Sequence, residues 1–174
     1  MDIKGAAAVA APELVPDAAR ATVGTVVSRR SGPVIAREFQ RWAAAVGDRN
    51  PLYFDAEFAG RHGYRDIVAP PLFLPVAVLG VVDVEQLRPD GVPAGFLGTV
   101  PLPHTPRLMA GGESWEFGEP AHPGDQVTAV RRIRSVEQKA GRSGAFVVVV
   151  AETVYTRGDG ALLARATDTV LALP

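Results

Sequence analysis

The chain has 174 residues, with 18 Lys and Arg against 19 Asp and Glu, three histidines and no cysteine. That length fits one domain, and the missing cysteine excludes disulfides, a thiol nucleophile and every cysteine-ligated metal site. The near-balanced charge argues against a nucleic-acid groove or an anionic-membrane anchor, while 47% apolar residues are ample for a packed core.

Residues 1–20 read as a loosely ordered arm, rich in alanine and carrying Asp2, Lys4, Glu13 and Asp17. A signal peptide wants a basic start and an uninterrupted apolar stretch, and these acids do not suit one. The longest uncharged run lies between Asp66 and Asp83 and holds three prolines. It falls short of the roughly 20 apolar residues that span a bilayer. The expectation is a cytoplasmic protein without membrane contact, whose folded domain covers residues 21–174.

Thr22 to Ser28 is β-prone, and Ser31-Gly32-Pro33 reads as a turn. From Val34 to Val46, the residues Ile35, Phe39, Trp42 and Val46 recur at helical spacing and predict a helix with that stripe inward. Gly47 ends it. Asp48-Arg49-Asn50-Pro51 reads as a tight turn, since Pro51 pushes Asn50 out of helical geometry. Asp55 is placed to cap a short helix through Phe58. A second helix, apolar on all sides and therefore buried, is predicted from Pro70-Pro71 through Val81. Residues 84–106 carry five prolines and no clear period, which predicts a long irregular loop.

The last third is β-rich. Strands are predicted over Glu113–Phe117, Gln126–Glu137, Ala145–Tyr155 and Leu162–Leu173, with turn signals at Pro123-Gly124-Asp125, Gly141–Gly144 and Gly158-Asp159-Gly160. Val147, Val149, Ala151, Thr153 and Tyr155 alternate onto one face. Helices followed by strands argue for an α+β domain with an antiparallel sheet packed on a buried helix.

No glycine-rich phosphate loop, G-x-S-x-G elbow or H-E-x-x-H is present. His62, His104 and His122 match no familiar metal spacing, so no metal and no cofactor is expected. One dense polar cluster remains: Gly47-Asp48-Arg49-Asn50-Pro51-Leu52-Tyr53-Phe54-Asp55. Its residues are those that turns use, and residue chemistry alone leaves turn and site even.

The cluster resembles the signature of the MaoC-like hydratases and dehydratases, which adopt the hot-dog fold. That signature runs Gly-Asp-x-Asn-Pro, an aliphatic residue, then His. Gly47, Asp48, Asn50, Pro51 and Leu52 match it, and Tyr53 stands where His is usual. Ile67-Val68-Ala69-Pro70-Pro71 resembles the entry to the central helix in the dehydratase branch related to fatty-acid synthase. Gly111 to Phe117, followed by Pro120 and Pro123-Gly124-Asp125, resembles that branch's strand-and-turn signature, and Asp159-Gly160 fits its last hairpin.

The resemblance implies a single hot-dog domain whose sheet wraps a central helix. It implies reversible hydration of 2-enoyl thioesters, or dehydration of 3-hydroxyacyl thioesters, carried on coenzyme A or acyl-carrier protein. It also implies a homodimer, or a heterodimer with another hot-dog subunit. Asp48, Asn50 and Tyr53 are then the catalytic candidates. A phenol has a reference pKa near 10 and imidazole near 6.5, so Tyr53 suits an acid, and the base role falls to Asp48. Backbone donors at the start of the buried helix, from Leu72 or Phe73, would steady the thioester oxygen.

Arg131, Arg132 and Arg134 form the only basic cluster on a predicted strand. It reads as a solvated face or as a contact for the phosphates of a pantetheine carrier. His104 is either an exposed loop residue or a replacement imidazole that swings over the pocket. His62 closes a short helix, and His122 sits in a turn without an assigned role. Trp115 and Phe117 are core or tunnel wall. Two functional readings stay open. One is a lyase, either of the family's usual kind or turned to a biosynthetic elimination or cyclisation. The other is a non-catalytic acyl-binding subunit of a heteromeric dehydratase.

Overall fold

A computed structural model describes residues 13–80, 82–89, 91, 93, 100–102 and 106–174. Five strands form one antiparallel sheet: β1 (Val26–Pro33), β2 (Arg107–Phe117), β3 (Gln126–Gly141), β4 (Gly144–Arg157) and β5 (Leu162–Leu173). Their order is β1-β3-β4-β5-β2. Among the described residues four short helices accompany it: α1 (Asp17–Arg20), α2 (Ala36–Ala45), α3 (Ala56–Arg61) and α4 (Leu74–Leu79). α4 lies across β1 and β3. This is the α+β hot-dog architecture expected from the sequence.

The turn chemistry holds where glycine and aspartate demand it. Gly141 and Gly144 face each other across the β3–β4 hairpin. At the β4–β5 turn, Asp159 Oδ1 accepts from the Ala161 N–H at 3.0 Å and Gly160 takes φ 91°. The alternation along β4 is also as read, with Val147, Val149, Ala151, Thr153 and Tyr155 all buried.

Ser31-Gly32-Pro33 is no turn. It continues β1, with Gly32 opposite Val127. A Cβ at Gly32 would overlap the Ala77 carbonyl of α4, so glycine here serves the close approach of helix to strand. α2 buries Phe39 and Ala43 and half-buries Trp42, whereas Ile35 and Val46 are exposed. Those two residues are the caps of α2, where the backbone leaves the helical path and carries the side chains off the stripe.

The central helix departs most from expectation. A 3₁₀ turn (Pro71–Phe73) precedes the six residues of α4, and Gly80 ends it at φ 69°. Phe73, Leu74 and Val78 are buried, but Leu72, Val76 and Leu79 are exposed. One sheet covers one side of a helix, so an apolar pattern on all sides does not bury all sides within a single chain. Val81 lies outside the described residues.

Within 84–106, the described residues include a 3₁₀ turn at Val84–Gln86 and a bridge between Leu87 and Pro93. Residues 13–20, read as part of a loose arm, are packed. Leu14, Val15 and Ala19 are buried against Ile133, Val136, Val147 and Val149, and the Leu14 N–H donates to Gln138 Oε1 at 2.8 Å. Among the described residues, no helix is long and apolar enough to cross a membrane.

Candidate active site

The polar cluster is both a turn and the edge of a pocket. Gly47 leaves α2 at φ 76°, which only glycine does cheaply. Asp48 Oδ1 then accepts from the Asn50 N–H at 3.1 Å, and Asn50 Oδ1 accepts from the Leu52 N–H at 3.1 Å. Pro51 begins a 3₁₀ turn through Tyr53, and Gln40 Nε2 donates to the Tyr53 carbonyl at 3.0 Å. These local bonds fix where the three candidate side chains stand.

The loop is tied to the rest of the wall through main-chain bonds. The Val68 N–H donates to the Leu52 carbonyl at 2.9 Å, and the Ala69 N–H to the Ala121 carbonyl at 2.8 Å. The His122 ring adds a third tie, with Nδ1 2.9 Å from the Ile67 carbonyl. A carbonyl only accepts, so Nδ1 carries the proton. The Asp125 carboxylate receives the His122 N–H and pairs with Arg65.

A pocket of about 300 Å³ lies between these segments. Asn50, Leu52 and Tyr53 form one side, Val68 to Pro71 and Leu74 another, and Phe117 to Ala121 with Leu163 close it. An open groove of about 720 Å³ adjoins it, sharing Tyr64, Glu119 and Pro120. The pocket wall is mainly apolar and the groove is rich in charged residues.

Tyr53 is buried. The Asp48 and Asn50 side chains stand near its hydroxyl, and its pKa is raised above the ordinary phenol value. Burial is the main cause and the Asp48 charge adds to it, while the Asn50 contact acts the other way. The phenol therefore stays protonated at neutral pH. Asp48 is exposed and lies beside the pocket, outside its wall.

The other candidates scatter. Phe73 is buried in the core, its ring edge-on to Phe39 and Trp42, and its N–H is spent on the Pro70 carbonyl at 2.8 Å. Leu72 is exposed and lines neither cavity. The helix start therefore presents its prolines and Leu74 to the pocket, in place of the expected Leu72 and Phe73 donors. Arg131 and Arg132 project to opposite faces of β3, and a bulge follows Ile133. Arg131 pairs with Asp168 and Arg134 with Glu152, while Arg132 Nη1 lies 3.4 Å from the Gly24 carbonyl. None of the three lines the pocket or the groove.

His104 lies outside the described residues. His62 is exposed, stacked on Phe58 and bonded to its carbonyl. Among the described residues, no three His, Asp or Glu side chains converge as a metal site. Phe117 lines the pocket, and Trp115 stacks between Phe117 and Tyr155. Sequence reasoning missed Tyr64, Glu119, Ala121 and Leu163 in the wall. The usable signal was that Glu119 adjoins Pro120 in the strand-and-turn signature.

Comparison with known proteins agrees with this geometry. The family model described as "FAS1-like, dehydratase domain region" matches residues 21–166. A UPF0336 protein of Streptomyces avermitilis is 32% identical over 108 residues, which is 60% of this chain and 63% of that relative's length. A UPF0336 protein of Parafrankia sp. is 30% identical over 133 residues, 76% of this chain and 79% of the relative. Among solved structures, a chain of the ChsH1-ChsH2 complex from Mycobacterium tuberculosis superposes with a TM-score of 0.67 at 24% identity, covering 89% of this chain and 86% of that one. The (R)-hydratase from A. caviae involved in PHA biosynthesis gives 0.61 at 22% identity, covering 87% and 96%. These solved structures share the fold of this chain, and with the family model matching residues 21–166 the chain belongs to the FAS1-like dehydratase-domain family.

Proposed function

We propose that the chain is a hydro-lyase that interconverts 3-hydroxyacyl and 2-enoyl thioesters carried on coenzyme A or acyl-carrier protein. The supporting observation is the buried Tyr53 side chain in the wall of a mainly apolar pocket that Asn50 also lines. Loss of water needs an acid for the departing hydroxyl, because hydroxide leaves badly. Tyr53 holds that proton. Asp48 acts through Tyr53, as an acceptor beside its hydroxyl. Asn50 spends its amide oxygen on Leu52 and directs its amide toward the Tyr53 oxygen, which leaves one amide N–H for the thioester oxygen or the water. The pocket volume suits a thioester head with a short acyl group.

A second reading is that the chain is the acyl-binding subunit of a heteromeric hot-dog dehydratase. It is favoured by Tyr53 at the usual His position and by the likeness to a chain of a two-protein complex. One experiment separates the two. The purified chain is assayed for hydration of crotonyl-CoA, alone and with a His-containing hot-dog paralogue, beside a Tyr53→Phe variant. Turnover by the chain alone that is lost in the variant supports the hydro-lyase. Turnover only with the paralogue, indifferent to Tyr53→Phe, supports the second reading.

A further inference from the structure

We infer that Glu119 is a catalytic residue, the base that removes the proton next to the thioester carbonyl. The inference rests on the hydro-lyase reading. Elimination needs a base as well as an acid, and Asp48 does not line the pocket, whereas Glu119 does. Among the described residues, Glu119 is the one acidic residue lining the pocket that also contains Tyr53 and Asn50, and its side chain stays open to solvent at the rim. It belongs to the groove wall as well, so it sits where the apolar chamber meets the polar approach.

Its position is set by three local restraints. The Glu119 N–H donates to the Leu162 carbonyl at 2.9 Å. A Cβ on the preceding Gly118 would overlap that same carbonyl, so the segment is pressed against β5. Arg157 Nη2 donates to Glu119 Oε2 at 2.8 Å, and Asp159 anchors Arg157 through Nε and the same Nη2. One carboxylate oxygen is thereby held, which orients the other.

The chemistry balances with these two side chains. The Cα–H bond breaks, its proton passes to Glu119, and its electron pair becomes the new carbon–carbon π bond. The bond from Cβ to the hydroxyl oxygen breaks, and that oxygen keeps the electron pair. It takes the Tyr53 proton and departs as water. Solvent returns a proton from Glu119 to the tyrosinate. His122 does not compete for the base role, because it lines the groove and not the pocket.

Butyryl-CoA in D₂O tests proton removal alone, since it has no hydroxyl to lose; exchange at Cα is read by NMR, beside elimination from 3-hydroxybutyryl-CoA. The wild-type chain should do both, and Tyr53→Phe should keep exchange and lose elimination. Glu119→Gln should slow exchange ~10²- to 10⁴-fold with an unchanged unfolding midpoint, and Glu119→Asp should recover part of it. Asp159→Asn, which loosens the Arg157 clasp that orients Glu119 but leaves the carboxylate in place, should slow exchange far less than Glu119→Gln does. Exchange by Glu119→Gln at the wild-type rate, with elimination still dependent on Tyr53, would overturn this inference and leave the hydro-lyase reading standing. An equal loss in Asp159→Asn and Glu119→Gln would reduce Glu119 to a structural clasp. Neither exchange nor elimination by the wild-type chain would overturn both readings.

Discussion

The inner face of the sheet has two halves built from different side chains. Toward the β3–β4 hairpin it presents Ile133, Val136, Val147 and Val149, covered by Leu14, Val15 and Ala19. Toward the other end it presents Val127, Ala129, Ala164 and Ala166, covered by α2 and the segment around α4. The contrast is one of volume. Large residues fill the space under a thin covering segment, whereas alanines make room for a helix and a pocket together. Between the halves run Arg131, Thr153 and Asp168 on the same inward register, with Arg131 and Asp168 ion-paired. One half is packing alone, and the other gives up packing for a chamber with Asn50, Tyr53 and Glu119 in its wall.

The sharpest way to break this division is Tyr53→Phe. It removes one hydroxyl from the chamber half and nothing else. Turnover should fall ~10²- to 10⁴-fold, and stability should change by only about 1 kcal/mol. Steady-state hydration kinetics with denaturant unfolding on the same preparation measures both. A large stability loss with proportionate activity would mean that Tyr53 is ordinary core.

The opposite pattern should come from the packed half. Ile133 is 1% exposed, and Ile133→Ala leaves a cavity that should cost about 2 to 5 kcal/mol. Turnover per folded molecule should stay unchanged, because no atom of the chamber is touched. Urea unfolding beside active-site titration checks the separation.

These two halves were unequally legible in the sequence. The strands, the β4 alternation and the glycine turns follow from local chemistry, so residues such as Val147, Val149, Gly141 and Gly160 could be placed in advance. The Asp48–Tyr53 cluster was legible as a turn from local chemistry, and as a site only through its resemblance to the dehydratase signature. Glu119 and Leu163 were not, since they reach the chamber only through strand pairing between distant segments. Gly32 misled for a related reason: its local sequence reads as a turn, and the helix that requires a glycine there, through Ala77, arrives much later in the chain. The arginines of β3 misled because their partners, Asp168 and Glu152, lie on other strands.

Tyr155 lies at the seam between the halves, stacked on Trp115 at 5.7 Å. Burial pushes its phenol up to about 12, and the Asp168 charge adds to this while Arg131 opposes it. An unfolded tyrosine titrates near 10. Between those values the unfolded chain gives up its proton and the folded chain keeps it. The contribution is therefore fully present below pH 10 and lost as pH rises toward 12. Over that window Tyr155 should account for roughly 2 to 3 kcal/mol of lost stability, and Tyr155→Phe should flatten the slope. Unfolding midpoints at pH 9, 10, 11 and 12 test it; parallel slopes in both proteins would show that the seam is wetter than its burial implies.

The smallest effect concerns the loop that feeds the chamber. Three of its side chains accept main-chain N–H bonds in the same way. Asp48 accepts from Asn50, Asn50 from Leu52, and Asp55 from Phe58 at 2.9 Å. Only the first two also stand near the Tyr53 hydroxyl. Asp55 caps α3 and serves the fold alone, so Asp55→Ala should cost about 1 kcal/mol and leave turnover unaltered. Asp48→Ala removes a comparable local bond and should reduce turnover as well, because Tyr53 loses its polar neighbour. Equal kinetic losses in the two variants would mean that turnover responds to loop order alone, and the assignment of Asp48 to Tyr53 would fail. A loss confined to Asp48→Ala would separate two carboxylates that the sequence presents as near equivalents.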